Sequence, residues 1–179
     1  MAFTALSTWA VDDPITATEL NLVKTNFDDH ETRILSRETG DGAVQYAEVS
    51  LSSSDILALR ATPKTLVAAP GAGKILCFHR AVLLLDATAT AYVESSANLA
   101  TKYTDGSGVA VCETVEATGF IDQTADTMTA ARPKLDPIVA KTGCENKALV
   151  LHNLGAGEYT TGTGTMRVKV WYSIASSGW

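Results

Sequence analysis

The glycine-rich stretch from Pro70 to Ile75 comes nearest to a catalytic motif, because it reads Pro-Gly-Ala-Gly-Lys-Ile. A Gly-Lys pair after a glycine-rich turn ends a phosphate-binding loop, in which backbone N–H groups and the lysine hold phosphates. That loop also needs a glycine where this chain has Ala68 and a serine or threonine where it has Ile75. We expect a strand to follow, rather than the helix whose N-terminus would face the phosphate. We therefore interpret the stretch as a turn between strands.

The histidines and the possible nucleophiles are scattered. His30, His79 and His152 show no spacing that would place two of them on one helix face or beside a metal-binding carboxylate. No serine lies in a Gly-x-Ser-x-Gly context, and no cysteine lies in a nucleophile motif. The sequence therefore predicts no zinc site, no cofactor and no catalytic nucleophile.

Carboxylates could act in pairs as the catalytic groups of glycoside cleavage, or they could bind calcium. The pairs Asp86 with Glu94 and Asp122 with Asp126 have that potential, but carboxylates at the strand edges of a sandwich are usually solvated. The loop from Asp105 to Gly108 has too few oxygen ligands for calcium and is typical of a tight hairpin. We therefore expect no enzyme.

The composition is that of one globular domain with an appendage. The chain has 179 residues, of which 46% are hydrophobic, 7% aromatic and 19% charged, which is enough for one well-buried core. A net charge of −6 argues against nucleic acid as the main partner, because phosphate binding depends on an excess of lysine and arginine. No apolar run approaches the roughly eighteen residues of a membrane helix, and the first residues lack signal-peptide features. We expect no membrane partner and folding in a cytoplasm.

The cysteines Cys77, Cys112 and Cys144 are odd in number, widely spaced and surrounded by apolar or strand-like sequence. Such cysteines are typical of free thiols in a protein core. They fit assembly in a reducing compartment.

Charge and pattern divide the chain near Gly40-Asp41-Gly42. The part up to Asp41 has eight acidic against three basic residues and so holds −5 of the chain's −6. The remainder, with 12 acidic and 11 basic residues, is nearly neutral. We predict an N-terminal attachment arm and helix over residues 1–45 and a β-sandwich domain over residues 46–179.

A helix is predicted from about Thr16 to Leu35. Thr16 can cap it, and Glu19, three residues later, can complete a capping box. Its apolar residues recur at steps of three and four and form one narrow stripe. The stripe suits packing on the body of its own chain, or contact with copies of itself or a larger assembly. Fewer than three heptads leave both alternatives open.

Large apolar residues also precede the helix, on a stretch with no helix or strand period. An undocked terminus would leave them in water. Trp9 is therefore expected to insert into a pocket on the body, a neighbour or a partner, or to close over its own helix as a hydrophobic staple. The candidate partner-binding residues of the arm are Phe3, Leu6, Trp9, Leu20, Val23, Phe27 and Ile34.

The rest of the chain is predicted to form short strands, with one short helix after the first of them. Ser52 to Asp55 would cap this helix, and Pro63 would end it. Roughly eight antiparallel strands without long intervening helices predict a mainly β fold, an antiparallel β-sandwich with an N-terminal extended arm and helix. A jelly roll is the commonest eight-strand solution, and a barrel remains an alternative. The predicted strands are Val44 to Val49, Thr65 to Ala69, Ile75 to Asp86, Ala91 to Tyr103, Val109 to Ala117, Thr127 to Ala131, Ala148 to Asn153 and Thr165 to Ile174.

Two parts of the sequence resemble virion structural proteins of tailed bacteriophages. The opening, Trp9 to Ala17 followed by Leu20-Asn21 and Asn26, is similar to the N-terminal attachment segments of phage particle proteins. The body is similar to small phage proteins that have no named activity, and the resemblance lies in Leu59 to Pro63, Leu66 to Gly71, Lys102 to Gly108, Ala117 to Phe120, Glu145 to Leu149 and Gly162 to Thr165. The resemblance implies a component of the virion and leaves its place on the particle open.

Within that class, we expect a trimeric capsid decoration or cement protein. Its arm would contact the major capsid protein, other virion proteins or neighbouring subunits, and Asp28, Asp29 and Glu31 could meet basic patches on the shell. The alternative is the receptor- or glycan-binding head of a head fibre, a tail fibre or a neck component. A glycan site usually exposes aromatic rings, whereas most of those in the body are expected in the core: Phe78, Tyr92, Tyr103, Phe120, Tyr159, Trp171 and Tyr172, with Trp179 at the terminus.

Overall fold

The computed structural model describes residues 17–94, 97–135 and 138–178, without the side chains of residues 17, 19 and 34–39. The chain forms two separate units, which meet in sequence between Ala43 and Val44. The functional division that the sequence places at residue 45 stays a prediction. The elements are α1 (Ala17–Thr39), β1 (Val44–Leu51), α2 (Ser53–Leu57), β2 (Lys64–Val67), β3 (Lys74–Asp86), β4 (Tyr92–Val93), β5 (Leu99–Tyr103), β6 (Thr127–Ala131), α3 (Lys141–Cys144), β7 (Leu149–Asn153), β8 (Thr160–Thr161) and β9 (Thr165–Ser176).

Helix α1 confirms the helix predicted from the spacing of apolar residues, and it extends to Thr39, past the expected end at Leu35. The chain then turns through Gly42, whose φ of 84° favours glycine. The predicted cap, Thr16, lies outside the described residues. None of the helices in the described ranges is long and apolar enough to cross a membrane.

The larger sheet has the strand order β1-β9-β3-β6, with all neighbours antiparallel. Its two central strands are long, because β3 has 13 residues and β9 has 12. Along β9, Met166, Val168 and Val170 are buried at every second position, as a sheet with one face on the core requires. The alternation that the sequence shows in β9 is therefore confirmed.

A β-bulge at His79 lets β3 bury the same face along its whole length. The register slips between Phe78 and Arg80, opposite Tyr172 and Trp171. Leu76 and Phe78 are buried before the bulge, and Ala81, Leu83 and Leu85 are buried after it. Because a bulge inserts one residue, it shifts the phase of the alternation by one position.

The second sheet has the strand order β2-β7-β5, again antiparallel. Every residue of β7 is buried, which fits the middle strand of a sheet covered on both faces. Strands β4 and β8 form a separate two-stranded ladder. The buried side chains of both larger sheets join one core cluster, whose members all lie between Leu51 and Val170. The fold is thus mainly β and compatible with an antiparallel sandwich.

The sequence-based strand from Val109 to Ala117 is wrong as a continuous strand. This segment runs beside β5 through isolated bridges, Lys102 with Ala110 and Leu99 with Val115. Between them, the backbone N–H of Thr101 donates to Cys112 Sγ at 3.0 Å, so a side chain replaces a backbone acceptor and interrupts the ladder. As a fourth strand, the segment would complete a second four-stranded sheet. A jelly roll, which needs eight strands, therefore stays a prediction.

Two further differences from the predicted elements have local causes. The predicted strand from Ala91 to Tyr103 is wrong as one element, because it forms β4 and β5 in different sheets. Between them, the Glu94 carboxylate accepts hydrogen bonds from Ala97 N and Thr118 Oγ1. The two-residue strand β8 and the one-turn helix α3 were not predicted, since segments this short have no measurable period.

The three cysteines are unpaired. Cys112 and Cys144 are buried and Cys77 is half-buried. Cys77 and Cys144 line a mainly apolar cavity of about 310 Å³ together with Tyr103. Burial raises the pKa of the Cys112 thiol, which keeps it protonated and unreactive at neutral pH.

Helix α2 begins with the capping box that the sequence indicates. The Ser52 side chain accepts from Asp55 N, and Ser52 N donates to Asp55 Oδ2 at 2.9 Å. Lys64 Nζ lies 2.9 Å from Asp55 Oδ1. The hydrogen bond from Lys64 and those from Ser52 lower the pKa of Asp55 from its usual 3.8. The carboxylate therefore stabilises the fold at neutral pH, and this contribution is lost as the pH falls through the lowered pKa.

Asp55→Asn is expected to destabilise the protein by about 1 kcal/mol at pH 7, because it removes the charge of the ion pair with Lys64 and the negative charge in the first turn of α2. The difference should shrink at pH 2, because the wild-type carboxyl takes up a proton as the pH falls through its lowered pKa and then resembles the amide in charge. Thermal unfolding of both proteins at the two pH values measures this. Equal differences at pH 7 and pH 2 would show that the charge of Asp55 contributes nothing.

Candidate binding surfaces

The turn from Pro70 to Lys74 is closed to phosphate. Gly71 and Gly73 have positive φ angles of 100° and 72°, as a tight turn into β3 requires. Their N–H groups already donate, Gly71 N to Asn146 Oδ1 and Gly73 N to Glu145 Oε1, each at 2.9 Å. The expected turn between strands is confirmed, and its N–H groups have protein acceptors.

The carboxylates considered for glycoside cleavage hold loops. Asp126 Oδ1 accepts from Ala87 N at 3.0 Å, and Asp122 Oδ1 accepts from Gly119 N at 2.8 Å. Asp105 Oδ1 accepts from the backbone and hydroxyl of Ser107, and these bonds lower the pKa of Asp105. Such contacts position backbone rather than substrate. Within the described ranges, no cluster of three or more His, Cys, Asp or Glu side chains could hold a metal ion.

An open depression of about 750 Å³ brings Arg60, Lys102 and His152 together with Ser107 and Glu158. His152 is only 7% exposed, because β7 is covered on both faces. Burial lowers the pKa of His152, and the nearby Lys102 lowers it further. His152 is therefore neutral at physiological pH.

The polar groups of this depression mainly bind one another. Both Glu158 oxygens accept from backbone N–H groups, of Arg60 at 2.9 Å and Ala61 at 2.7 Å. Lys102 Nζ donates to the Gly106 carbonyl, and Ser107 Oγ donates to Asp105 Oδ1 at 2.7 Å. Since the serine hydroxyl is bound to Asp105, the residues lining this depression do not show a Ser–His nucleophile pair.

Helix α1 carries large apolar side chains in water. Leu20 is 61% exposed and Phe27 is 69% exposed, while Val23 is half-buried. Lys24 Nζ and Asp28 Oδ2 form an exposed ion pair of 2.6 Å one turn apart. Of the candidate partner-binding residues, Phe3, Leu6 and Trp9 and the side chain of Ile34 lie outside the described part. Whether these residues bind a partner stays a prediction.

The outer face of the larger sheet, which we define by Tyr46, Glu48, Arg80, Val82, Leu84, Met128, Arg167, Lys169 and Trp171, is a second candidate surface. Strand register places Tyr46 opposite Trp171 and Trp171 opposite Arg80, so the three side chains share a face. The Tyr46 and Trp171 ring centroids are 5.3 Å apart. The Arg80 guanidinium lies 4.0 Å from the Trp171 centroid, a cation–π contact.

The next rows of the outer face add charge and apolar area. Glu48 lies opposite Lys169, 3.7 Å away, and accepts a hydrogen bond of 2.5 Å from the Tyr46 hydroxyl. That hydrogen bond lowers the pKa of Glu48 and raises the pKa of Tyr46. Leu84 is opposite Met128, which is 64% exposed. The outer face is therefore aromatic at one end and apolar at the other, with basic residues between.

Most aromatic residues of the body were expected in the core, and the structure agrees for only part of them. Trp171 and Tyr172 are half-buried, and Trp179 lies outside the described residues. Tyr46, on the outer face and on the edge strand β1, is 49% exposed. The buried ones are Phe78, Tyr92, Tyr103, Phe120 and Tyr159.

Comparison with known proteins finds similar solved structures but no matching family model. No family model matches the chain, and no curated protein matches it. Among solved structures, the chain is similar to one from the cyanophage Pam1 capsid asymmetric unit, with a TM-score of 0.41 and 18% identity over 73% of this chain and 82% of that chain. It is also similar to one from the capsid of Ralstonia phage GP4, with a TM-score of 0.33 and 11% identity over 75% and 85%. Both names are those of phage capsids. Scores this low establish neither a shared fold nor a shared function.

Proposed function

We propose that this protein is a non-enzymatic structural component of a tailed-phage virion, most specifically a capsid decoration or cement protein. Its N-terminal arm binds the shell, and its β body stabilises the particle surface. The phage class rests on the resemblance of the opening and the body to virion proteins. The role of the arm in assembly rests on one structural observation, the exposure of Leu20 and Phe27 on α1.

This exposure supports contact of the helix with another chain, and the described members of the body's core all come from the body itself. All members of the core cluster lie between Leu51 and Val170. An apolar stripe that remains in water at Leu20 and Phe27 favours contact with another protein. The proposed partners are the major capsid protein or other virion proteins and further copies of this chain in a trimer, with neither nucleic acid nor membrane as a partner.

Weak contacts are sufficient for this role. A shell presents the same site many times, so contacts that are weak singly become strong when several subunits of an oligomer bind together. The acidic residues Asp28, Asp29 and Glu31 of α1 would meet basic patches on such a shell. In this proposal the chain is assembled in the host cytoplasm and resides in the virion.

The test is the number of copies in purified particles of the encoding phage, measured by quantitative mass spectrometry against the major capsid protein. A ratio near one, or near one third, is expected for a protein that covers the shell. Tens of copies or fewer would replace the decoration role with that of a fibre or neck component. Absence from the particle would overturn the virion assignment.

The receptor- or glycan-binding head is the alternative function, and the outer face favours it. Tyr46 presents an exposed ring beside the half-buried ring of Trp171, with Arg80, Arg167 and Lys169 on the same face. Flat apolar rings beside hydrogen-bond donors suit the faces and the acidic groups of surface polysaccharides. The expectation that most body aromatics lie in the core, which argued against this role, holds only in part for Trp171, which is half-buried.

Under this alternative, Trp171→Ala should reduce binding of the protein to host-cell polysaccharide by about tenfold or more, as loss of an aromatic anchor usually does. Co-sedimentation with host cells measures the binding. Met128→Ala is the matched control, because Met128 is exposed on the same face and belongs to neither ring contact. Wild-type binding by the Trp171 variant, or no binding by the wild type, would reject the alternative.

A further inference from the structure

We propose that α1 associates in parallel and in register with the same helix of other copies of this chain. The inference deepens the proposed function and rests on its view of the arm as the assembling part of the protein. It assigns the α1 stripe to self-association and leaves the residues before α1 to bind the shell. The partner of the α1 stripe is α1 of another copy of this chain. We infer this from the exposure, the spacing and the charge of the helix.

The apolar stripe has the spacing of a coiled-coil seam. Leu20, Val23, Phe27, His30 and Ile34 follow one another at steps of three, four, three and four residues. These steps place Leu20, Phe27 and Ile34 at position a of a heptad and Val23 and His30 at position d. Two of the three a residues, Leu20 and Phe27, are among the most exposed apolar side chains of α1. Pairing with a second helix would remove both from water.

Charges beside the stripe favour the parallel arrangement. In a parallel, in-register pair, a residue at position g lies beside the residue five positions later, at position e, of the other helix. This rule places Glu19 beside Lys24 of the other copy and Arg33 beside Glu38. Both pairs have opposite charges. The remaining pair, Asn26 with Glu31, contains no like charges.

The antiparallel arrangement provides fewer attractive pairs. It brings e residues beside e residues and g residues beside g residues. In the register that keeps a residues opposite d residues, Lys24 meets Glu31 and Arg33 meets Asn26. Only the first of these is an ion pair, so charge favours the parallel pair.

The ion pair within the helix does not prevent this exchange. Lys24 and Asp28 are 73% and 59% exposed, and an exposed pair of this kind contributes little to stability. Lys24 can therefore leave Asp28 for Glu19 of a neighbouring copy at little cost. The seam is short, and the high local concentration on a particle would reinforce it.

The test measures self-association of the full-length chain by sedimentation equilibrium at low salt. Lys24→Glu should weaken association by about tenfold, because it places like charges beside each other in every copy. Adding Glu19→Lys should restore association in a parallel pair. Adding Glu31→Lys instead should not restore it. Thr25→Glu is the control, since it adds an acidic residue at position f, away from the seam, and should leave association unchanged.

Two results overturn the proposal. Rescue by Glu31→Lys in place of Glu19→Lys would establish the antiparallel arrangement, and a wild-type chain that is monomeric at all concentrations would exclude self-association. A monomeric chain that is nevertheless abundant in purified particles would reject this inference and leave the proposed function standing. A chain that associates as described but is absent from particles would reject the function and keep the inference.

Discussion

Removing residues 1–43 is expected to abolish attachment to the phage particle while leaving a body that still unfolds cooperatively. The body begins at Val44 with β1, and all members of the core cluster come from Leu51 onwards. The described part of the core therefore comes from the body, and under the proposed function the arm supplies the binding surface. Binding of the truncated chain to particles that lack the protein should fall to background, whereas its thermal unfolding should remain a single transition.

A shorter deletion is the control for this experiment. Removing residues 1–16 alone keeps α1 and separates the contribution of the preceding stretch, which contains Phe3, Leu6 and Trp9, from that of the helix. Bound chain is quantified against the major capsid protein after pelleting the particles. If the chain without residues 1–43 still occupies particles, attachment is a property of the β body. If it loses cooperative unfolding, the arm is structural.

Leu83→Ala is expected to produce the largest loss of stability among single substitutions considered in this protein. Leu83 is 1% exposed on the middle of β3, opposite Val168 on β9 and Thr129 on β6. Truncating a fully buried leucine leaves a cavity and costs about 2–5 kcal/mol. Because a domain is stable by only about 5–15 kcal/mol, urea unfolding should show a greatly lowered midpoint.

The neighbouring residue provides the matched control. Leu84 has the same side chain one position later, but it lies on the outer face opposite Arg167 and is half-buried. Leu84→Ala should therefore cost about 1 kcal/mol or less. Similar losses for the two variants would show that both faces of the sheet are covered in the protein as it exists in solution, for example by an oligomer.

Several elements could be predicted because their residues carry a strong local signal. Apolar spacing along α1 indicated the helix, and Ser52 with Asp55 indicated the start of α2. The alternation of Met166, Val168 and Val170 indicated β9. In each case the residues that decide the structure are close in sequence. Their periodicity or capping chemistry can therefore be recognised without knowledge of the fold.

The elements that could not be predicted depend on contacts between distant residues. Val109 to Ala117 has the composition of a strand, yet the Thr101 N–H bonds to Cys112 Sγ and interrupts its pairing with β5. The bond from Thr118 Oγ1 to the Glu94 carboxylate similarly joins residues 24 positions apart, at the end of β4. A backbone group's partner is chosen by the packed fold, and composition does not identify it.

The candidate surfaces show the same division. The stripe on α1 was predicted from spacing, since a helix places residues three and four apart on one face. The outer face of the larger sheet was missed, because β1, β9 and β3 contribute Tyr46, Trp171 and Arg80 from three distant parts of the chain. Trp171 looked like a core residue because tryptophan usually buries most of its surface.

By itself, the sequence of this protein determined the mainly β body, the acidic helical arm and the absence of any recognisable catalytic motif, because these follow from composition and short-range spacing. Only the tertiary structure decided which face of each strand is buried. Alternation distinguishes two faces of a strand without saying which one meets the core, and the bulge at His79 reverses the phase within β3. Strand pairing sets which residues share a face, and packing into the core then decides which face is buried. The aromatic and basic residues of the other face remain on the outside.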